Sequence, residues 1–450
     1  MATNACDVVV IGLGPGGEAT ATGLARAGLS VVGVDERLVG GECPYYGCIP
    51  SKMMIRAADV LQEGRRISDL AGESDVRPDF TRVADRIRDE ATDDWDDRVA
   101  VDRLEEAGVR FVRGHARLTG PRTVEVNGES FTASRGVVLN PGTAPAAPPI
   151  EGLSDTPYWT NRDVLRAESA PGSLAVIGGG PIGAEIAQAL SRFGVRVTVL
   201  EVGDRILGPE EPESSRLVAD VFAHEGIQVL TSVTIRSVSY ADGRFRLRLE
   251  DQEVDAEKLL VAAGRRPNLS DLGLEAVGLD PAARSVEVDA RMRAGEGLWA
   301  IGDVVGKGAF THLSMYQSAI CVRDILGQDG PTADYRAVPH VTFTDPEVGS
   351  VGMTEKQARD AGLRVRVGLT DLASSTRGWI ARSEGLIKLV EDADRGVLVG
   401  ATAVGPSGGE VLSMLTTAVH AEVPTETLRS MIYAYPTFHR AVEEALKNLA

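Results

Sequence analysis

Cysteine is scarce: four residues in 450, at Cys6, Cys43, Cys48 and Cys321. That excludes the disulfide framework of a small secreted domain. It fits a reducing compartment, where a disulfide is more readily catalytic than structural, so a cytoplasmic protein is expected. Long apolar runs are also missing. The first, "VVVIG", has the length of a strand rather than of a secretory leader, and no stretch approaches the roughly twenty apolar residues that span a bilayer. Basic charge is short, with 47 Lys+Arg against 65 Asp+Glu and a net charge of −18. That balance argues against nucleic acid or an anionic membrane as a partner. Lysine numbers only six, against 41 arginines. Aromatics make up 5% of the chain, so alanine, valine and leucine must fill most of a core that 43% apolar residues can supply. The length is that of about three domains.

Glycine, in contrast, is plentiful at 50 residues, and it falls in discrete motifs. Two segments resemble each other: "VVVIGLGPGGEATATGLARAGLSVVGVDE" and "LAVIGGGPIGAEIAQALSRFGVRVTVLE". Each reads as a buried strand, a glycine-rich turn, an alanine-rich helix and a second strand ending in an acid. Gly12, Gly14 and Gly17 satisfy G-x-G-x-x-G, with Asp35 23 residues after Gly12; Gly178, Gly180 and Gly183 do so with Glu201 at the same offset. One glycine permits the tight turn, the next lets backbone approach a pyrophosphate, and the third lets helix pack on strand. The helix N-terminus then faces the phosphates, and the acid accepts the ribose hydroxyls. Two copies predict two dinucleotide sites. A carboxylate at Glu201 repels a 2′-phosphate, and no arginine cluster follows it, although Arg205 is close; NADH is favoured over NADPH.

Elsewhere the pattern is coarser. Residues 56–108 read as mostly helical, with "DEATDDWDDR" as a solvated helix face. "PGTAPAAPPIEG" reads as a proline-rich domain boundary. "LLVAAGRRPN" and "LWAIGDVVG" read as strands running into turns. After about Tyr335, the strand-like runs "HVTFT", "VRVGLT", "LIKLVE" and "VLVGATAVG" alternate with helices, as in an α+β domain.

Two motifs remain: "GGECPYYGCIPSK" at residues 40–52 and "AYPTFHRAVEEAL" near the C-terminus. With the two fingerprints, "GRRPN" and "AIGD", they stand in an order that resembles the pyridine nucleotide-disulfide oxidoreductases of the lipoamide dehydrogenase, glutathione reductase and mercuric reductase group. The resemblance covers nearly the whole chain. It implies an α/β fold with two Rossmann-like dinucleotide-binding domains and a C-terminal α+β dimerisation domain. The FAD domain would occupy residues 1–148 and 267–333, the NAD(P) domain 149–266 and the dimerisation domain 334–450. It implies a homodimer that binds FAD and NAD(P)H, with an active site completed by the partner's C-terminus, no metal, and a small-molecule disulfide as substrate. It assigns Cys48 to the flavin side of a redox-active disulfide and Cys43 to the substrate side, and pairs Lys52 with Glu185 beside the flavin. Asp303 of "AIGD" would contact the ribityl chain. Further cofactor contacts would come from Gly41, Ala116, Gly142, Thr311, His312 and Gly264.

Physical constraints apply to the cysteine pair. Residues five apart in a regular α-helix have Cα atoms roughly 8.6 Å apart, and a disulfide needs less than about 7 Å. The two sulfurs can meet only if the helix is distorted or begins between them, and Pro44 and Gly47 suit that irregularity. Cys48 and Lys52 share a helix face, where the cation favours a thiolate. Cys6 and Cys321 each sit alone and read as small buried residues.

The C-terminal motif departs from the family. Tyr435 stands where the family has the histidine of its acid–base dyad, and Arg440 where it has the glutamate. A free tyrosine ionises near about 10 against about 6.5 for histidine, so Tyr435 is a poor proton acceptor but still a hydrogen-bond donor. His439, with Glu443 one turn on, is the candidate for a displaced dyad. A tyrosine at this place is similar to mercuric reductase. Mercury reduction is not the expected activity: the sequence closes on "ALKNLA" where mercuric reductases end in adjacent cysteines, and it reads as lacking their N-terminal metal-carrier domain. Metal-ion reduction and a quinone diaphorase are the alternative activities.

Overall fold

The structure, a computed structural model, describes residues 3–450; the first two residues of the expected 1–148 segment lie outside the described residues. The fold is α/β, and the chain divides into two compact units.

One unit comprises the chain up to Met53, Arg82–Ala146 and Gly264–Asp334. Its centre is strand β1 (Thr3–Ile11), whose Val8, Val9 and Val10 are fully buried. A run of β-branched residues buried on both faces is what a strand inside a parallel sheet requires. Strand β2 (Val31–Asp35) and the strand Glu129–Leu139 flank it in parallel register. Val109–Arg113 extends the sheet on one side and Leu298–Ala300 on the other. Helix α1 (Pro15–Arg26) begins with proline at its first turn, where no N–H is needed. Its small residues let it lie directly on the helix Thr311–Ile325. A Cβ at Gly16 would fall 2.0 Å from Ser314 Oγ, and the Thr20 and Ser318 hydroxyls hydrogen-bond at 2.7 Å.

The other unit comprises Met54–Thr81, Ala147–Ala263 and Tyr335–Ala450. The second fingerprint lies in a four-stranded parallel sheet, ordered Gln228–Leu230, Arg196–Leu200, Ser173–Ile177 and Lys258–Val261. A three-stranded antiparallel sheet packs Phe245 and Leu247 into the same core. The C-terminal part is a five-stranded antiparallel sheet. Its central strand, Val397–Gly405, pairs with Glu347–Gly352 and Leu386–Asp392, outside which lie Pro339–Thr342 and Val365–Asp371. Glu347–Gly352 was not among the predicted strands, because "EVGSVG" carries too few β-branched residues to signal one.

Buried charge is concentrated in this unit. Arg192, 2% exposed, binds Asp59 at 2.6 Å, Glu225 at 2.6 Å and Asp345 at 2.8 Å. Lys388, 3% exposed, reaches Glu211, Glu213 and Glu355 at 2.9–3.0 Å.

One sequence expectation is overturned. "DEATDDWDDR" is not a solvated helix face. A π-helical turn, Ile87–Ala91, ends the preceding helix, and Asp93, Asp94 and Trp95 then take three successive left-handed conformations with φ of 48°, 55° and 57°. Aspartate tolerates this region because its side chain can bond locally, and Thr92 Oγ1 closes the turn onto the carbonyls of Ile87 and Arg88.

Candidate active site

The break required between the two cysteines is present. Helix α2 (Glu42–Tyr46) carries Cys43, Gly47 interrupts at φ −138° and ψ −115°, and helix α3 (Cys48–Leu70) begins with Cys48. A Cβ at Gly47 would press on the Glu42 carbonyl at 3.1 Å, so glycine lets the chain turn tightly there. Both cysteines are free thiols in this structure. They lie within hydrogen-bond reach, and the contact polarises the pair. The Cys43 S–H holds Cys48 down to about 6, helped by the Thr311 hydroxyl at 3.4 Å and by the charge of Lys52. The same bond, with burial, holds Cys43 well above an ordinary thiol. The direction favours the thiolate at Cys48, which is exposed at a helix N-terminus, and the proton at Cys43. Cys6 and Cys321 are buried thiols raised by desolvation, Cys6 to about 11.

The two fingerprints fold alike. Asp35 accepts the N–H of Leu13 at 2.7 Å and of Arg37 at 2.8 Å; Glu201 accepts the N–H of Gly179 at 2.6 Å and of Gly203 at 2.7 Å. Burial raises the Asp35 carboxyl. A Cβ at Gly17 would lie 1.9 Å from the Gly12 carbonyl oxygen, and one at Gly183 would lie 2.0 Å from that of Gly178. Packing inside the protein therefore accounts for those glycines. It does not account for Gly14 and Gly180, where the nearest atom to such a Cβ is 3.5 Å away and beyond 4 Å, respectively. Both are N-caps without a side-chain cap, on helices Pro15–Arg26 and Pro181–Arg192. Open space over an uncapped helix start is what a pyrophosphate needs, and these residues fit the FAD and NAD(P)H expected of them.

Other expected contacts are placed as follows. Asp303 accepts Thr143 Oγ1 at 2.6 Å, and Thr143 in turn accepts Arg265 Nε at 2.7 Å. Arg265 reaches the Glu42 carboxylate at 3.3 Å. A polar chain thus runs from Asp303 to the residue beside Cys43. Sequence reasoning missed Glu42, Thr143 and Arg265; Glu42 and Arg265 lie inside quoted motifs, but nothing in their spacing told of the link. Gly41 packs against Gly14, and its Cβ would lie 2.9 Å from the Gly14 Cα. The Gly142 and Gly264 carbonyls accept Asn268 and Ala146 N–H groups at 3.0 Å. Ala116 puts its methyl into the core. His312 is exposed and stacks on Phe310, centroids 5.3 Å apart. Lys52 belongs to the first unit; Glu185 belongs to the second, where it is buried and accepts the Phe343 N–H at 2.8 Å.

The displaced dyad is not formed. His439 Nδ1 faces Thr437 Oγ1 at 3.0 Å and its ring lies against Tyr433, while Glu443 pairs with Arg440 and Lys447, each at 3.1 Å. Two cations have taken the carboxylate that a histidine needed. Tyr435 is 66% exposed, with the Arg440 guanidinium 5.5 Å over its ring. It lines a cleft of about 380 Å³ together with Asp371, Arg377, Thr437 and Glu444. Among the described residues no cluster of three metal-binding side chains occurs, and no described helix is long and apolar enough to cross a membrane.

Comparison with known proteins identifies the family. Residues 6–320 match the model of the pyridine nucleotide-disulphide oxidoreductases, and residues 338–446 match the dimerisation domain of the same family. A dihydrolipoyl dehydrogenase of Thermus scotoductus is 33% identical over 98% of this chain and 97% of its own. A mercuric reductase of Acidithiobacillus ferrooxidans is 33% identical over 98% of this chain and 82% of its own. Among solved structures, the Cu(II) complex of the HOCl-induced flavoprotein disulfide reductase RclA from Escherichia coli superimposes with a TM-score of 0.86, at 25% identity and 99% coverage of both chains.

Proposed function

The chain belongs to the pyridine nucleotide-disulphide oxidoreductases, enzymes that use FAD and NAD(P)H, and on that premise we propose that Cys43 and Cys48 are its redox pair and that its substrate is a small-molecule disulfide. The observation that carries this reading is the helix break at Gly47, which places Cys43 on one helix and Cys48 at the start of the next, with the Thr311 hydroxyl 3.4 Å from the Cys48 sulfur. Bound FAD supplies the relay of two electrons from the nicotinamide to a disulfide. The protein's own part begins at the thiols. Moving the proton from Cys43 to Cys48 makes Cys43 the nucleophile. Its thiolate attacks one sulfur of the substrate, forming a mixed disulfide and releasing the first thiolate. Cys48, once deprotonated, attacks the Cys43 sulfur, releasing the second thiolate and closing the Cys43–Cys48 bond.

Tyr435 replaces a basic residue with a hydrogen-bond donor, suited to a departing thiolate but not to taking its proton. The nicotinamide cofactor is NADH. Glu201 offers its free lone pairs to ribose hydroxyls, while Arg205 is turned to the Gly208 carbonyl at 2.8 Å and to Asp204. The dimerisation domain supports a homodimer.

A turnover screen with NADH tests the assignment. Cys43→Ser abolishes reduction of disulfides and leaves electron transfer to quinones intact. Equal loss of both, or retention of both, contradicts it. Stimulation of NADH oxidation by Hg(II) that depends on both cysteines would favour metal-ion reduction, the reading that the mercuric reductase relative recommends.

A further inference from the structure

The left-handed turn at Asp93–Trp95 is the most strained stretch of backbone in the first unit. Non-glycine residues avoid this region, and three in succession persist only where the surroundings hold them. The holding groups are Asp94 N–H to Arg88 O at 2.7 Å, Asp96 N–H to Asp93 O at 3.0 Å, and Trp95 N–H to the buried Thr92 hydroxyl at 3.3 Å. The turn delivers two side chains onto the segment that carries Cys43. Trp95 Nε1 donates to the Tyr45 carbonyl at 3.2 Å. Asp97, buried, accepts the Val39 N–H at 2.6 Å and Arg113 at 2.5 Å. One grip lies before Cys43 and the other after it, at the end of α2 where the chain breaks toward Cys48.

We infer that Trp95 is a positioning residue for the redox pair: its indole N–H holds the Tyr45 carbonyl, fixes the break between the two sulfurs and so sets their dithiol–disulfide equilibrium. The inference rests on the redox role proposed above for Cys43 and Cys48. The direction follows from charge. The Tyr45 carbonyl stands at the C-terminal end of α2, one helix break from Cys48. Its partial negative charge opposes a thiolate there, and the indole donor offsets it. Oxidation removes that thiolate. Loss of the donor therefore disfavours the reduced pair and favours the disulfide.

The test uses the FAD-loaded protein equilibrated with glutathione. The reaction is Cys43–SH plus Cys48–S⁻ plus glutathione disulfide, giving the Cys43–Cys48 disulfide, one glutathione thiol and one glutathione thiolate. Trp95→Phe keeps an aromatic ring and removes the donor. Its equilibrium constant toward the disulfide rises about three- to tenfold, which is about 14–30 mV for a two-electron couple. Asp94→Gly relieves one left-handed residue without touching the indole; it raises the melting temperature and leaves the equilibrium constant within about 1.5-fold. Should Trp95→Phe alone lose FAD, the double variant with Asp94→Gly is compared with Asp94→Gly. A melting temperature lowered by Trp95→Phe with the equilibrium constant unchanged overturns the inference and leaves the turn a structural feature only. Failure of the parent protein to exchange with glutathione at all overturns the redox pair itself, and the inference with it.

Discussion

Replacing Thr311 by valine keeps the shape of the side chain and removes the hydroxyl that lies 3.4 Å from the Cys48 sulfur. A hydrogen bond to a charged acceptor contributes about 1.5–3 kcal/mol. At an exposed sulfur, water replaces part of it, leaving about 1.4 kcal/mol, or roughly one pH unit. Cys48, held down to about 6 chiefly by Cys43 with Thr311 and Lys52 assisting, would then ionise near about 7. At pH 6 the thiolate fraction falls from about one half to about one tenth, and the alkylation rate falls about fivefold with it. The assay is the pH dependence of iodoacetamide modification at Cys48 in the reduced, flavin-free protein, with the modified residue assigned by mass spectrometry. The sign is fixed: a lowered value means the thiolate persists to lower pH, so Thr311→Val moves the profile to higher pH. A coincident pair of profiles, or a parent midpoint at the ordinary thiol value, refutes the polarised pair.

Three further substitutions test other parts of the account. Glu201→Ala removes the ribose acceptor; kcat/KM with NADH falls about tenfold or more, the worth of a charged hydrogen bond, while kcat/KM with NADPH rises because the carboxylate that repels its 2′-phosphate is gone, and steady-state kinetics with both cofactors read the ratio. His439→Ala keeps turnover within about twofold across a panel of disulfides, because Glu443 is committed to Arg440 and Lys447; a loss of a hundredfold would restore the displaced dyad. Arg192→Met strands the carboxylates of Asp59, Glu225 and Asp345, and urea unfolding shows a loss of about 3–5 kcal/mol.

Much of this architecture is legible in the residues because it rests on local rules. A fully apolar run such as Val8–Val10 must be buried on both faces, and a glycine triplet before an alanine-rich helix must be a close turn. The requirement that the helix break between Cys43 and Cys48 follows from the rise per residue alone, and Gly47 meets it. Long-range partners are a different matter. Nothing in "GGEC" foretells that Glu42 meets Arg265, 223 positions along the chain, or that Thr143 bridges Arg265 and Asp303. The His439–Glu443 spacing suited a dyad, but the choice of partner was decided by Arg440 and Lys447 on the same helix face. The run around Trp95 misled in another way. Its charge pattern fits a solvated helix, and nothing in that pattern signals the left-handed residues that carry the Trp95 indole to the Tyr45 carbonyl.

The most direct measurement is thiol counting during an anaerobic titration of the oxidised, FAD-loaded protein with NADH. The account predicts that two reactive thiols appear as NADH is consumed, that peptide mapping places them at positions 43 and 48, and that Cys43→Ser and Cys48→Ser yield no NADH-dependent increase. Flavin bleaching with no gain in thiols, or a gain that survives loss of either cysteine, would contradict it.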